Sequence, residues 1–243
     1  MALKEKGTGE FDAALALLWG EAKVKTRGPK PAHALEDVLD AAIRVADREG
    51  LNAVSMQRLA VELNFTKMAI YRYVPGRSEL IALMTDRALG RPPSAFDGST
   101  WRQRMEAWAR AVHGVFLAHP WGIEATTGRR MPGPCEIAWA EAGLGILADS
   151  GLNGSVRLDV LGVIVGHLRA AALQAAGAGP TIGLEADLNA LMNRALRGRE
   201  LEFPQYNAAV REAAESGRED QGLSVGLNCI LDGIEWQLSE TLR

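Results

Sequence analysis

Apolar residues recur every three or four positions through most of this chain, the spacing that places them on one face of an α-helix. The first strong segment spans residues 34–49, and its inward-facing positions are Leu35, Val38, Leu39, Ala42 and Ala46. Gly50 follows directly and suits the left-handed conformation that often ends a helix. No long alternating run of Val, Ile and Thr accompanies these segments, so the pattern predicts an all-α protein.

Two shorter segments follow, and each begins with a residue that can cap a helix. The hydroxyl of Ser55 can accept a hydrogen bond at the start of the first, and that of Thr66 at the start of the second. Asn64 stands in the turn between them, where its side chain tolerates the left-handed conformation, and Ile70 is assigned to the core. An amphipathic helix followed by such a pair is the order of elements in a helix-turn-helix, which places its last helix in the DNA major groove.

Helical spacing continues to the end of the chain, with one clear break. The pattern predicts a helix from Glu79 to Leu89, and Pro92, Pro93 and Gly98 then interrupt regular structure over residues 91–100. Further helices are predicted over residues 101–118, 135–149, 155–175 and 223–242, with two short charged helices within 185–216. We divide the chain into an N-terminal extension (1–33), a helix-turn-helix domain (34–90) and a second helical domain (91–243).

The net charge of −3 over 243 residues does not by itself indicate a nucleic-acid-binding protein, but basic residues cluster locally. Lys23, Lys25, Arg27 and Lys30 stand together without an acidic residue, just before the first predicted helix. Prolines keep such a segment extended, and basic extended arms can enter the DNA minor groove. We expect Arg27 and Lys30 to contact DNA; the alternative is a solvated tail.

The second short helix carries the candidate base contacts. In a helix-turn-helix the first residues of this helix meet base edges, and here they are Thr66, Lys67, Met68 and Ala69. Lys67 can donate to guanine O6 or N7, and the two apolar side chains can touch a thymine methyl group. The alternative for Lys67 is a solvated lysine. Ser55, at a helix N-terminus, can hold a phosphate, and Arg72 adds positive charge nearby.

These residues carry a resemblance to the DNA-binding domain of TetR-family transcriptional regulators. Its elements stand here as Ala41-Ala42, Gly50, Ser55, Leu59-Ala60, the turn 63–66 and the tail Ile70 to Leu80. Asn64 replaces the usual turn glycine, and Arg77 replaces a usual lysine. The basic segment at 27–31 and the sequence His119 to Trp121 resemble an actinobacterial subgroup of the family.

The resemblance implies a repressor that binds a palindromic double-stranded DNA operator as a homodimer and is released by a small-molecule effector. It also implies that Tyr71, Tyr73 and Arg77 hold phosphates, although Tyr73 could equally be a packing residue. The second helical domain would then bind the effector and form the dimer. An activator of the same fold, or a DNA-binding protein without an effector, stays open as an alternative.

Aromatic residues concentrate in the middle of the chain, as an apolar ligand cavity requires. The alternative is an ordinary core, which is the favoured interpretation for any single tryptophan. The candidate effector-binding residues are Trp108, Val112, Phe116, Trp139 and Leu168.

Two long segments, residues 156–173 and 223–238, are candidates for the dimer surface. Small residues four positions apart permit close helix contact. The candidate interface residues are Gly162, Gly166, Leu227 and Ile234.

Other chemistry finds little support in the sequence. The histidines lack metal-ligand spacing and no nucleophile elbow is present, so we expect no enzyme activity, no cofactor and no metal ion. Cys135 and Cys229 lie far apart and are expected to be free thiols of a cytoplasmic protein. The apolar run from Val160 to Leu168 is too short to cross a membrane.

Overall fold

The computed structural model describes residues 15–20, 35–127, 130–177, 191, 194–199, 201–216 and 222–241. Among these residues the regular structure is helical and none lies in a β-strand, so the all-α prediction is confirmed. The helices are α1 (Leu35–Glu49), α2 (Met56–Glu62), α3 (Lys67–Tyr71), α4 (Arg77–Leu89), α5 (Trp101–Ala118), α6 (Trp121–Ala125), α7 (Pro134–Ala148), α8 (Gly154–Gly177), α9 (Pro204–Ser216) and α10 (Gly222–Thr241).

The long predicted helices agree with the structure to within about two residues at each end. Two short elements were not predicted: the 3₁₀ turn Leu51–Ala53 and helix α6. Neither is long enough to display a periodic apolar pattern, which needs about three turns to be distinctive. Of the two short charged helices expected within residues 185–216, α9 accounts for the second, and most of the first lies outside the described residues.

The N-terminal core is assembled from α1, the 3₁₀ turn, α2, α3, α4 and α6. Val38, Leu59, Ile70 and Leu80 are completely buried there, and complete burial of one such side chain contributes about 1.5–3 kcal/mol. Trp121 of α6 belongs to the same core, although it lies far along the chain from the helix-turn-helix. Helix α6 is therefore part of the support for the DNA-reading elements.

The chain divides into two compact units, Met1–Ser150 and Gly151–Arg243. This division differs from the predicted boundary at residues 91–100, which falls inside the first unit. The reason is packing: α4 contacts both α1 and α7, and so joins the helix-turn-helix to the helices that follow the break.

In the second unit α8 packs against α10. Nε2 of His167 lies 2.9 Å from the carbonyl oxygen of Leu223, and because a carbonyl only accepts, this nitrogen carries the hydrogen. A Cβ at Gly226 would lie 2.2 Å from Cε1 of His167, so the imidazole can occupy this position only because residue 226 has no side chain.

None of the helices in the described part of the chain is both long and apolar enough to cross a membrane.

Candidate nucleic-acid interface

The helix-turn-helix is built by the caps that the sequence predicted. Oγ of Ser55 accepts a hydrogen bond from the backbone N–H of Arg58 at 3.1 Å, and Oγ1 of Thr66 accepts one from Ala69 at 3.2 Å. Asn64 has a φ of 54°, the left-handed conformation expected in the turn. The N–H of Phe65 then bonds to the carbonyl of Ala60 at 2.7 Å, which closes the turn between α2 and α3.

Helix α3 turns its candidate base-reading residues outward. The side chain of Met68 is 72% exposed, and Thr66, Lys67 and Arg72 are exposed as well. Ile70, on the opposite side, is completely buried as expected. One short helix therefore presents an anchoring face to the core and a reading face to solvent, and Ala69 lies half-buried at the edge of the reading face.

The two tyrosines behave differently. Tyr71 is 40% exposed, and Nζ of Lys67 lies 5.9 Å from the centre of its ring, within the range of a cation–π contact. Tyr73 is half-buried and packs against the N-terminal core. The packing alternative for Tyr73 is therefore supported, while its phosphate contact stays a prediction.

Arg77 has a structural partner that the sequence did not indicate. Its Nε donates to the carbonyl of Val54 at 2.9 Å, and its Nη2 donates to the carbonyl of Leu51 at 3.0 Å. The side chain thus ties the start of α4 to the 3₁₀ turn before α2. The predicted phosphate contact of Arg77 would have to coexist with this role.

Ion pairs hold the first two helices together. Arg58 of α2 pairs with Glu49 of α1 at 2.7 Å and with Glu62 of its own helix at 2.9 Å, and Arg48 also bonds to Glu62. The hydrogen bond from Arg58 lowers the pKa of the Glu49 carboxyl, and that from Arg48 lowers the pKa of the Glu62 carboxyl. On the other side of α1, Asp40 pairs with Arg87 of α4, whose hydrogen bond lowers the pKa of Asp40.

Four of the five candidate effector-binding residues lie in the first unit and are packed as core. Trp108 is 1% exposed, and its Nε1 donates to the carbonyl of Trp139 at 3.0 Å. Val112, Phe116 and Trp139 are also buried. Leu168 is buried and belongs to the second unit. The ordinary-core alternative is therefore well supported for Trp108, and an effector site at these residues stays a prediction.

A small cleft opens beside Phe116 in the first unit. It encloses about 200 Å³ of empty volume, part of it continuous with solvent. Its lining comes from α4, α5, α6 and the short link between α5 and α6: Thr85, Ala88, Leu89, Val115, Phe116, His119, Trp121 and Gly122.

Two of the four candidate interface residues are buried within the second unit. Leu227 and Ile234 are 3% and 5% exposed, because with Leu231 they form the buried face of α10. They therefore offer almost no surface to a second subunit. Gly162 and Gly166 are exposed, and their interface role stays a prediction. The large apolar side chains that point outward from the two helices are Leu158, Val163, Leu173, Val225 and Trp236.

The predicted arm residues Arg27 and Lys30 lie outside the described residues.

A capped helix-turn-helix followed by further helices defines a class of DNA-reading regulator. Two family models match the chain: "Bacterial regulatory proteins, tetR family" over residues 38–84, and "Tetracyclin repressor-like, C-terminal domain" over residues 93–238. The second alone covers more than half of the chain. The chain therefore belongs to the TetR family, as its motifs indicated, and the interval between the two matches adjoins the break predicted at residues 91–100.

Individual relatives agree with this assignment. The chain is 37% identical over 169 residues to the transcriptional repressor DrrR1 of Streptomyces coeruleorubidus, a match that covers 68% of this chain and 62% of that protein. It is 28% identical over 162 residues to a transcriptional regulator of Saccharopolyspora erythraea, covering 66% of each. The chain thus spans slightly less than two-thirds of the length of these relatives.

Among solved structures, the chain resembles Streptomyces coelicolor ActR in complex with actinorhodin. The TM-score is 0.70, the sequence identity is 22%, and the match covers 84% of this chain and 95% of that one. This similarity supports the fold.

Proposed function

We propose that this protein is a sequence-specific DNA-binding transcriptional regulator, a repressor that leaves a palindromic operator when a small molecule binds. The observation that carries the proposal is the outward face of α3, capped at Thr66 and anchored at Ile70. Family membership and the similarity to the repressor DrrR1 support the same direction.

In this proposal α3 enters the major groove with its N-terminal end toward the bases. Lys67 donates to a guanine, and Met68 and Ala69 contact a thymine methyl group. Ser55, Tyr71 and Arg72 hold the backbone and set the depth of the helix. Arg27 and Lys30 extend the contact into the adjacent minor groove.

We further propose a homodimer formed by the outward faces of α8 and α10. Trp236 is 65% exposed, and such an aromatic side chain suits the centre of a protein–protein contact. Gly162 and Gly166 lie on the outward face of α8, where they permit close approach of a partner helix. These residues replace Leu227 and Ile234 in the predicted interface.

The effector would act through a difference in its affinity for two conformations. A ligand that binds more tightly to a form unable to reach both half-sites shifts the population toward that form, and the operator is released. The candidate region is the middle of the chain, around Phe116 and Trp139. Actinorhodin, the ligand of the ActR structure, is a reasonable first probe.

The proposal is tested by selecting double-stranded DNA from a random library with the full-length protein at near-physiological salt. A palindromic consensus is expected, with half-sites about one helical turn apart or a multiple of that distance. Lys67→Ala is the matched variant and should bind the consensus more weakly without a change in stability. No enrichment over random DNA would contradict a sequence-specific regulator, and enrichment that no probe molecule reverses would favour the effector-independent alternative.

A further inference from the structure

Helix α7 receives its N-terminal cap from a different helix. The glycine that precedes it, Gly133, has no side chain to cap with. Instead Oδ1 of Asp86, on α4, accepts hydrogen bonds from the backbone N–H groups of Cys135 at 2.8 Å and Glu136 at 3.3 Å. These are among the N–H groups that a helix leaves without an internal partner, and a carboxylate also suits the positive end of the helix dipole.

Gly133 makes this close approach possible. A Cβ at that position would lie 2.1 Å from Oδ1 and 2.7 Å from Cβ of Asp86, distances that real atoms do not reach. The absence of a side chain at Gly133 therefore lets α4 sit directly against the start of α7.

Helix α7 in turn caps the C-terminal end of α4. Nε1 of Trp139 donates to the carbonyl of Gly90 at 3.0 Å and to that of Leu89 at 3.3 Å. Leu89 is the last residue of α4, so these carbonyls belong to the end of a helix that lacks internal donors. Each helix thus supplies the terminal hydrogen-bond partners of the other, and we call this pair of contacts the reciprocal cap.

Helix α4 is attached to the helix-turn-helix along its whole length. At its start Arg77 bonds to Leu51 of the 3₁₀ turn, in its middle Leu80 and Met84 are completely buried in the N-terminal core, and in its last turn Arg87 pairs with Asp40 of α1. Helix α4 and the helix-turn-helix therefore move together. Any change in the orientation of the helix-turn-helix relative to α7 has to break or bend the contacts made by Asp86 and Trp139.

We propose that Asp86 and Trp139 are positioning residues, and that their reciprocal cap determines how strictly the protein selects the separation of two DNA half-sites. The inference rests on the proposed function as a dimeric operator-binding protein. The physical reason is that a helix-turn-helix held in one orientation fits one separation of the half-sites. A helix-turn-helix whose attachment is loosened can bind half-sites at several separations with a smaller loss of binding free energy.

The experiment measures binding of the full-length protein to a series of DNAs with identical selected half-sites and different separations. The variants are Asp86→Ala, Trp139→Phe and the double variant, with Asp86→Asn as the conservative replacement that keeps an acceptor oxygen. Matched controls are Asp149→Ala, which removes a carboxylate paired with Arg104 at 2.6 Å, and Trp101→Phe, a tryptophan at the start of α5 outside the reciprocal cap.

The wild-type protein should prefer one separation by tenfold or more over its neighbours. Asp86→Ala and Trp139→Phe each remove one half of the reciprocal cap and should each reduce that preference about fivefold. The double variant should do little more, because both changes loosen the same attachment between α4 and α7. Asp86→Asn should recover part of the preference, and both controls should keep all of it.

Two results would overturn this inference and leave the proposed function standing. In the first, the variants select the half-site separation as strictly as the wild type does. In the second, they lose affinity equally for every separation, in proportion to a fall in Tm. A wild-type protein that selects no paired half-sites would refute the proposed function and this inference with it. Binding to a single half-site, measured in parallel, separates these cases, because the reciprocal cap should leave it unchanged.

Discussion

One carboxylate oxygen of Asp47 accepts hydrogen bonds from both Trp121 and His119. The distances are 2.6 Å to Nε1 of Trp121 and 2.8 Å to Nδ1 of His119. Since a carboxylate only accepts, Nδ1 of His119 carries the hydrogen, and the two rings lie 5.8 Å apart. The sequence His119 to Trp121, which resembled a subgroup of the family, is thus an attachment between the last turn of α1 and helix α6.

Removal of this carboxylate should destabilise the first unit. Asp47→Ala leaves the buried Nε1–H of Trp121 without its acceptor, and such a loss costs about 1–3 kcal/mol. The free energy of unfolding is measured by denaturant titration. In a Trp121→Phe background, where the donor is already absent, the cost of Asp47→Ala should be clearly smaller; equal costs in the two backgrounds would show that the hydrogen bond contributes nothing.

Neighbouring residues of α3 should separate DNA recognition from stability. Met68→Ala should weaken binding to the selected operator and alter the base preference at one position, with little change in Tm, because its side chain is 72% exposed. Ile70→Ala, two residues away in the same helix, should cost about 2–5 kcal/mol of stability because its side chain is completely buried. The opposite pattern, in which Met68→Ala unfolds the protein, would mean that α3 faces the core differently.

The proposed dimer face gives a second matched pair. Trp236→Glu should produce a folded monomer that binds the palindromic operator at least tenfold more weakly, because the charge is placed on the outward face of α10. Sedimentation velocity measures the oligomeric state, and circular dichroism measures the helix content. Ile234→Glu should instead unfold the second unit, since that side chain packs inward. A dimer that survives Trp236→Glu would place the interface on another surface.

Acid should weaken the junction between α1 and α2. The pKa values of Glu49 and Glu62 are lowered in the folded protein, chiefly by hydrogen bonds from Arg58 and Arg48 respectively. A depressed carboxyl pKa contributes stability that is complete above the unfolded value, about 4.3, and that is lost as the pH falls through the folded value. The Glu49→Gln, Glu62→Gln double variant should therefore lose less stability than the wild type between pH 5 and the acid-unfolding range, as measured by Tm against pH. Parallel curves for the two proteins would argue against the ion pairs.

Local sequence patterns were sufficient to predict the elements of the helix-turn-helix. The caps at Ser55 and Thr66, the left-handed Asn64 and the buried Ile70 each depend on residues within one or two turns of the chain, so the sequence alone already specifies them. The bounds of the long helices follow for the same reason, since a periodic apolar pattern and a terminal glycine or proline are both local signals.

Contacts between distant residues were decided only by the tertiary structure. The bond from Arg77 to the 3₁₀ turn, the attachment of Trp121 to Asp47 and the cap that Asp86 supplies to α7 join residues 26 to 74 positions apart. Helical periodicity also could not show which face of α10 is covered by the rest of the chain. Leu227 and Ile234 were therefore predicted to lie in the interface, whereas in the structure they are buried and Trp236 is exposed. Sequence determined which residues share a face of each helix; packing determined what that face meets, because burial depends on neighbours that the local pattern does not contain.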